Sequence, residues 1–341
     1  MSTQKLPKQF LDLLGTGESL LQETYKRVSK IFEAERIFVI TQKGYVGLVK
    51  RHLPGLPTSQ IIAEPLRRNT AACIGLAALK LKKREPMANL FFTPSDQVIE
   101  DEEAFVEVIK KGLKTTDTSD CFVTIGIPPL HPETGYGYIQ YNTDDQEDGV
   151  YSVRAFTEKP DLAHAELFID SGDFLWNSGM FIWNVDALTN GLDQHLPELM
   201  SNLGEVWDDL DTPYETDSLA RVYGSCENIS IDYGLMERAE KVCVIPASIG
   251  WYDIGNWGSI YKLAKKDAQG NAIIGTNVLA ENCSNCLLVN TDSSRALVLR
   301  DLSDRIVIQT EKTVLGFPRG NDQAIKSIVK SVKLGLGESF T

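Results

Sequence analysis

Helical and extended stretches alternate along the first part of the chain. Residues 19–32 and 101–115 place apolar side chains at the spacing of amphipathic helices, and residues 69–81 form an alanine-rich helical stretch with Asn69 as its N-cap. Between them, short apolar runs predict strands at 37–41, 60–63, 90–93 and 121–126. This order predicts an α/β fold whose parallel sheet is covered by helices on both faces. In such sheets, ligands bind at the carboxyl ends of the strands.

The pattern becomes more mixed from residue 138 onward. Predicted strands at 138–141, 150–158 and 179–183 occur among helices at 162–171 and 185–208. Residues 271–310 carry short strands divided by Asn, Asp, Ser and Gly, and residues 323–334 predict a terminal helix. Evenly spaced short strands are typical of a small β domain or of a few solenoid coils. We therefore predict an α/β domain at 1–265 and a small β-rich domain with a terminal helix at 266–341.

Composition and charge exclude several classes of protein. The 341 residues are 43% apolar and 24% charged, as in globular proteins. The sequence has no run of about 18 apolar residues, so we expect no membrane span. The stretch MSTQKLPKQF has no apolar signal core, so we expect a cytoplasmic protein. The net charge of −13 argues against a nucleic-acid partner, but a local group of Lys and Arg can still bind a small anion.

The cysteines fall into two kinds. Cys283 and Cys286 form a C-x-x-C pair, but a zinc site would need a second pair or histidines nearby, and the sequence has neither there. We therefore expect no metal or redox role for this pair. The other four stand singly in apolar surroundings, which indicates buried thiols of a reducing compartment; they are Cys73, Cys121, Cys226 and Cys243.

Three polar stretches suit a phosphate or a metal ion. The stretch from Glu64 to Ala71 follows a predicted strand and begins a helix, where backbone N–H groups, the helix dipole and two arginines can bind an anion. Asp96 follows another strand, where a carboxylate can hold Mg²⁺ beside phosphates. Lys8 stands beside Pro7 near the start of the chain. Taken alone, the first stretch is equally consistent with an ordinary capped helix, and Asp96 also fits an Asx turn. For Lys8 alone a solvated lysine is the better interpretation.

Two further regions suit a sugar phosphate. The ETGYGY stretch contains Gly137, and a glycine lets backbone approach a ligand closely. Glu158 and Asn177 offer directional hydrogen bonds to sugar hydroxyls, and Lys159 offers a positive charge to a phosphate. The glycines alone are equally consistent with a hairpin turn.

Taken in order, these stretches resemble the sugar-nucleotide pyrophosphorylases, and most of all the mannose-1-phosphate guanylyltransferases. EPxxRNTA with WNSGMFxW is close to diagnostic for the guanylyl and mannose branch, whereas ExTGYGYI and EKP are shared more broadly. The resemblance implies a Rossmann-like mixed, mainly parallel sheet flanked by helices, with residues 1–265 as the catalytic domain and dimer contacts through the C-terminal β region. The matching stretches span residues 7–257 and are PKQFL, LLQETYKR, EPLRRNTA, PSDQVI, ETGYGYI, FTEKP, WNSGMFIW, ISIDYGLMERA and WYDIGNW.

The resemblance also implies an activity and a role for each matching position. The implied reaction joins mannose 1-phosphate to GTP with Mg²⁺ and yields GDP-mannose and pyrophosphate. Asp96 and Asp253 match the metal-binding aspartates, and with Lys8 and Lys159 they make up the implied catalytic set. The implied nucleotide positions are Glu64, Pro65, Arg68, Asn69, Thr70 and Ser95, and the sugar-phosphate positions are Gly137, Glu158, Lys159 and Asn177. Gln97 stands where many relatives have His.

The start of the chain departs from the family pattern. Relatives open with a strand and a glycine-rich loop of the form G-G-x-G-x-R-x-W-P-x-S, and G-x-G-x-R is absent from this sequence. That loop would supply N–H groups and an arginine to the triphosphate. We expect Met1 to be an internal methionine of a longer natural protein, and we expect impaired activity from the sequence as given. The alternatives left open are a catalytically inactive protein that binds GDP-mannose and regulates, and a nucleotidyltransferase for another sugar 1-phosphate.

Overall fold

The structure is a computed structural model, and it describes residues 7–321, 324–337 and 340. Residues 1–6, on which the expectation of a missing loop falls, lie outside the described residues, as does residue 323 of the predicted terminal helix. Within the described chain, no helix is both long enough and apolar enough to cross a membrane.

The regular elements follow the predicted order, with some boundaries moved by several residues. The described α-helices are α1 Leu20–Val28, α2 Val46–His52, α3 Asn69–Arg84, α4 Glu102–Thr118, α5 Leu162–Ser171, α6 Val185–His195, α7 Pro197–Gly204, α8 Glu215–Val222, α9 Trp257–Leu263 and α10 Ala324–Gly335. The described strands are β1 Val39–Gln42, β2 Ile61–Glu64, β3 Asn89–Phe92, β4 Gln97–Ile99, β5 Phe122–Ile127, β6 Gly137–Glu147, β7 Val150–Glu158, β8 Phe174–Asn184, β9 Val242–Pro246, β10 Trp251–Asp253, β11 Ala272–Gly275, β12 Val278–Glu281, β13 Leu287–Asn290, β14 Leu297–Arg300, β15 Arg305–Gln309 and β16 Val314–Pro318.

The chain divides into two compact units. The large unit comprises Lys26–Pro94 and Ile99–Trp251. The small unit comprises Met1–Tyr25, Ser95–Val98 and Tyr252–Thr341, as far as these ranges are described. This grouping differs from a single boundary at residue 265, because the first residues and the short segment 95–98 group with the C-terminal part. The assignment of catalysis to 1–265 stays a prediction.

A six-stranded sheet with helices packed on it forms the large unit, which confirms the predicted α/β class. Its strand order is β3-β8-β5-β9-β7-β6, and β1 and β2 form a separate parallel pair. Within the six-stranded sheet, β5 and β9 pair in parallel, whereas the other described pairings are antiparallel. The strand directions therefore differ from the predicted, mainly parallel arrangement. The reason is that β8 enters between β3 and β5 in the opposite direction, and β6 and β7 form an antiparallel hairpin.

The predicted helix at 185–208 is broken in two. Proline has no backbone N–H, and its ring disfavours helical backbone at the preceding residue. Leu196 accordingly leaves the helical region, with φ −134° and ψ 54°, and α7 starts again with Pro197 as its first residue. The apolar faces of both helices remain in the core of the large unit, where Leu192, Leu199 and Leu203 are buried.

The expectation of single, reduced cysteines was wrong for one pair. Cys121 and Cys243 form a disulfide. The register of the sheet explains it, because β5 and β9 are parallel neighbours and Cys243 lies opposite Val123, two residues after Cys121. Cys73, Cys226, Cys283 and Cys286 remain free thiols.

Short parallel coils make up most of the small unit. Strands β11, β13 and β15 pair in parallel, β16 adds in the antiparallel sense, and β12 pairs with β14 in a second layer. Asn and Asp take left-handed backbone at the corners, for example Asn277 at φ 57° and Asp304 at φ 53°; these residue types tolerate that region best after glycine. The coils pack against α9 through Trp257 and Ile260.

Candidate functional site

Three predicted residues meet in the small unit. The Lys8 ammonium lies 3.0 Å from Oδ2 of Asp96 and 3.4 Å from Oδ1 of Asp253, and it donates to the carbonyl of Ile254 over 3.1 Å. We call Lys8, Asp96 and Asp253 the Lys8 cluster. Asp96 directly precedes β4 and Asp253 ends β10, and these two strands form a two-stranded sheet. Burial alone would lower the pKa of Lys8, but the carboxylates of Asp96 and Asp253 outweigh it and raise that pKa.

The donor set of the Lys8 cluster fits a magnesium ion. Two carboxylates already share one positive charge there, and Mg²⁺ binds through one or two protein carboxylates together with waters and substrate phosphates. Among the described residues, no group of three or more His, Cys, Asp or Glu side chains could hold a metal ion. Two aspartates would leave other positions on such an ion to waters or phosphate oxygens.

The predicted nucleotide positions other than Ser95 lie at the end of β2 and the start of α3, in the large unit. Glu64 ends β2 and is only 8% exposed, and the hydroxyl of Tyr223 donates to its Oε1. Burial raises the pKa of the Glu64 carboxyl, opposed by the hydrogen bonds that it receives from Tyr223 and Cys73. Burial and the Glu64 charge together raise the pKa of Tyr223, so the tyrosine stays protonated and acts as the donor. Glu64 is thus held as a hydrogen-bond acceptor.

The residues after Glu64 are anchored by a later part of the chain. Arg68 directs its guanidinium to the backbone carbonyls of Tyr223 and Gly224, so it braces the loop in this structure. Oγ1 of Thr70 accepts from the N–H of Ile231 over 2.8 Å. We call Glu64, Pro65, Arg68, Asn69 and Thr70 the nucleotide loop. Residues 223–231 hold it in place through Glu64, Arg68 and Thr70.

The prediction that Asn69 is the N-cap of its helix is corrected. The residue in the N-cap position is Arg68, and Asn69 is the first residue of α3. Asn69 has a left-handed backbone, with φ 63°, and its Oδ1 accepts from the N–H of Thr70 over 2.9 Å. The side chain still satisfies a free N–H at the helix start, one position later than expected.

The predicted sugar positions converge on neighbouring strands. Gly137 begins β6 and lies directly opposite Glu158 on β7, and Tyr138 lies opposite Trp176 on β8, next to Asn177. A Cβ atom at position 137 would lie 3.3 Å from Cβ of Asn177 and would overlap Oε2 of Glu158. Gly137 therefore leaves room for the side chains of Glu158 and Asn177 to lie close against the strand. We call Gly137, Glu158, Lys159 and Asn177 the sugar cluster.

A local irregularity in β8 sets the direction of Asn177. The register between β5 and β8 shifts between Thr124 and Gly126, and Gly179 has φ 72°, a conformation that favours glycine. Oδ1 of Asn177 accepts from the N–H of Gly179 over 3.0 Å, and Nδ2 donates to Oδ1 of Asp232 over 2.8 Å. Bulges of this kind are frequent beside functional sites, where they redirect a side chain.

Charges of both signs surround the sugar cluster. The Lys159 ammonium pairs with Glu158. Burial alone would lower the pKa of Lys159, but its hydrogen bond to Glu158 and the nearby acidic charges raise it. Burial raises the pKa of Glu237, and the charges of Glu158 and Asp232 raise it further. The cluster thus offers carboxylates to hydroxyl donors and one cation to an anion.

One predicted site residue remains to be described, together with two neighbouring residues that the sequence analysis did not single out. Ser95 lies half-buried directly before Asp96 in the small unit, and its role stays a prediction. Tyr223 and Asp232 were missed as site residues, although both hold predicted ones. Asp232 lies in the ISIDYGLMERA stretch, whose resemblance could have drawn attention to it; Tyr223 lies in no motif that we recognised.

Comparisons with known proteins agree with the resemblance. The profile of the nucleotidyl transferase family matches residues 2–270. A mannose-1-phosphate guanylyltransferase from Salmonella montevideo is 35% identical, with 98% of this chain and 71% of that protein aligned. One from Escherichia coli is 32% identical, over 98% of this chain and 72% of that protein. A solved structure from Thermus thermophilus, named mannose-1-phosphate geranyltransferase, superposes with a TM-score of 0.85 at 28% identity, covering 97% of this chain and 94% of that one.

Proposed function

Because the chain belongs to the nucleotidyl transferase family, we propose that it joins mannose 1-phosphate to GTP, yielding GDP-mannose and pyrophosphate. The relatives named mannose-1-phosphate guanylyltransferase support this choice of substrates. The observation that carries the proposal is the convergence of Asp96 and Asp253 on the Lys8 ammonium, because two carboxylates that share a cation suit the binding of a metal–triphosphate. A cytoplasmic location and a homodimer stay predictions.

The reaction needs no nucleophile from the protein. The sugar phosphate is largely a dianion near neutral pH, since the second pKa of a phosphomonoester is about 6. Its oxygen attacks the α-phosphorus of GTP in line, and the bond to pyrophosphate breaks. The chain's part is to hold the two anions together and to balance their charge.

Charge balance is assigned to the two lysines and two aspartates. Asp96 and Asp253 would hold Mg²⁺, which when bound neutralises phosphate charge. Lys8 would leave its carboxylate partners and contact the phosphates of GTP, and Lys159 would leave Glu158 and contact the 1-phosphate. Each lysine is held beside its proposed anion site by a carboxylate before the ligand binds.

Recognition of the two organic groups is assigned to the large unit. Guanine has N–H donors on one edge, and the buried Glu64 carboxylate suits them because it can only accept hydrogen bonds when ionised. Glu158 and Asn177, whose side chains lie close against Gly137, would bind the mannose hydroxyls. Pro65, Asn69 and Thr70 are assigned to nucleotide binding by resemblance, and so is Ser95 of the small unit.

Phosphorus NMR of the reaction products tests the proposal against both alternatives. The chain is incubated with Mg²⁺ and mannose 1-phosphate together with GTP, or with glucose 1-phosphate and UTP. We expect the diphosphate signals of GDP-mannose in the first mixture. Sugar-nucleotide signals only in the second mixture would support another sugar nucleotidyltransferase. GDP-mannose binding by calorimetry without product in either mixture would support a regulatory binding protein.

A further inference from the structure

One short segment of the large unit contacts both the nucleotide loop and the sugar cluster. The N–H of Ile231 donates to Thr70, and the carbonyl of Ile229 accepts from the N–H of Ala71 over 3.2 Å. The next residue, Asp232, accepts from Nδ2 of Asn177 over 2.8 Å. Asp232 is therefore adjacent in the chain to the anchor of one group and hydrogen-bonded to the other.

The backbone holds Asp232 firmly. It begins a π-helical turn, Asp232–Met236, in which the N–H of Glu237 donates to the carbonyl of Asp232 over 2.9 Å. Gly234 in this turn packs so closely that an added Cβ would lie 2.7 Å from Leu196. Single π-helical turns are rare and occur often at functional sites. The carboxylate of Asp232 is thus presented from a packed turn rather than from a free loop.

Asp232 and the N–H of Gly179 together fix which way the Asn177 amide faces. Oδ1 of Asn177 is already taken by the N–H of Gly179, and Nδ2 is taken by Asp232. An ionised carboxylate has no proton to donate, so a flipped amide would set oxygen against oxygen at Asp232 and N–H against N–H at Gly179. The fixed amide keeps one N–H donor and one acceptor site for a ligand. Glu158, across Gly137, adds acceptors only.

We propose that Asp232 is a positioning residue for sugar recognition, which holds the Asn177 amide so that its remaining N–H donates to a hydroxyl oxygen of the hexose 1-phosphate. This inference rests on the proposed function, and it adds the residue that sets the donor and acceptor pattern of the sugar cluster. Residues 229–232 would then position both groups. Ile229 and Ile231 hold the start of α3, and Asp232 holds the amide of Asn177.

An exchange of donor and acceptor separates this role from a structural one. In Asp232→Asn the side chain can turn either its NH₂ group or its oxygen toward residue 177, so only the N–H of Gly179 still favours one direction of the Asn177 amide. In the double variant Asn177→Asp with Asp232→Asn, the hydrogen bond between the two positions is restored with its direction reversed, and the N–H of Gly179 still has an acceptor. The N–H donor of residue 177 is nevertheless lost.

The affinity for mannose 1-phosphate and the melting temperature are measured for the wild type, both variants and Asp144→Asn, an exposed matched control. We expect Asp232→Asn to weaken the affinity about tenfold, as for one lost hydrogen bond to a well-fixed polar group. We expect the double variant to regain the wild-type melting temperature but not the affinity. Wild-type affinity in Asp232→Asn, or recovery of affinity in the double variant, would overturn the inference alone. Absence of mannose 1-phosphate binding by the folded wild type would overturn the proposed function and this inference with it.

Discussion

The Lys8 ammonium lies 3.0 Å from the Asp96 carboxylate, in the place where a cation between Asp96 and Asp253 would bind. The same pair of carboxylates can hold either the lysine or a metal ion, because both need the same oxygens. In this structure the lysine balances the two negative charges. Under the proposed function, it would become available to a phosphate if a metal ion took its place between the carboxylates.

Replacement of Lys8 by Met should separate metal binding from turnover. Lys8→Met removes the competing ammonium, so we expect Mn²⁺ to bind more tightly than to the wild type, by about tenfold, in an electron paramagnetic resonance titration. We expect the rate of GDP-mannose formation to fall by about 100-fold or more, since one positive charge on the reacting phosphates is lost. Lys50→Met, at an exposed position on α2, should change neither quantity. Weaker Mn²⁺ binding by Lys8→Met would contradict this account of the cluster.

The hydroxyl of Tyr223 should control the pH dependence of GTP binding. Burial raises the pKa of Glu64, and the Tyr223 hydrogen bond opposes that rise. Tyr223→Phe removes the hydrogen bond, so the pKa of Glu64 should rise further. If guanine binds the ionised form, affinity for GTP is lost as pH falls through this pKa, and the midpoint should move to higher pH in Tyr223→Phe.

The midpoint is measured by calorimetric titration of GTP between about pH 5 and 8, the range in which proteins are usually most stable. Tyr214 is 71% exposed, and Tyr214→Phe is therefore the matched control. Inosine triphosphate lacks the exocyclic amino group of guanine, so we expect Tyr223→Phe to discriminate less between the two nucleotides than the wild type does. An unmoved midpoint together with unchanged discrimination would show that Glu64 does not contact the base.

A single methyl group at position 137 should displace side chains of the sugar cluster. The added Cβ would overlap Oε2 of Glu158 and lie 3.3 Å from Cβ of Asn177, so one of these side chains must move. We expect Gly137→Ala to raise the KM for mannose 1-phosphate by about tenfold or more, with the KM for GTP within about twofold of the wild type. Gly44→Ala, where a Cβ meets open space, is the control. An equal rise in both KM values would indicate general damage to the large unit instead.

The ion pairs around Asp211 should stabilise the large unit in a pH-dependent manner. Lys80, which is nearly buried, lies 3.0 Å from Asp211, and Arg84 donates to both carboxylate oxygens of Asp211. The hydrogen bonds from Arg84 lower the pKa of Asp211 to about 2. A carboxyl whose pKa is lowered by folding contributes stability above its unfolded pKa, and this contribution is lost as pH falls through the folded value.

We therefore expect Asp211→Asn to lower the free energy of unfolding by about 1–3 kcal/mol at pH 7, as for a broken, partly buried charged hydrogen bond. The difference from the wild type should shrink between about pH 4 and pH 2, as follows from the pKa of an unfolded aspartate near 3.9 and the lowered folded value. Urea unfolding at pH 7, 4 and 2.5 measures this difference in the free energy of unfolding, with Asp144→Asn as the exposed control. A difference that stays constant down to pH 2.5 would contradict the assigned role.

Local sequence patterns drew attention to candidate residues at the ends of predicted strands. Glu64 follows one predicted strand and Glu158 ends another, but neither pattern alone assigned a function, and Asp253 was identified only by the resemblance. Gly137 stood out because a glycine lets backbone approach a neighbour closely, and the structure places the Glu158 carboxylate against it.

The remaining features depend on contacts between distant parts of the chain. The hydrogen bond from Tyr223 to Glu64 joins residues 159 positions apart, and neither hydrophobic periodicity nor turn chemistry reports such a contact. The same holds for the insertion of β8 between β3 and β5, and for the disulfide that follows from the register of β5 and β9. The helix break before Pro197 was a local signal, and it outweighed the apolar periodicity that had suggested one long helix.

The most direct test of the central claim is the release of pyrophosphate from GTP by this chain with Mg²⁺, measured with and without mannose 1-phosphate, for the wild type and for Asp96→Asn. The account predicts release that requires mannose 1-phosphate, that equals the GDP-mannose formed, and that is lost in Asp96→Asn while the protein stays folded. Release without the sugar phosphate, equal release by Asp96→Asn, or a folded wild type that neither releases pyrophosphate nor binds GDP-mannose would contradict it.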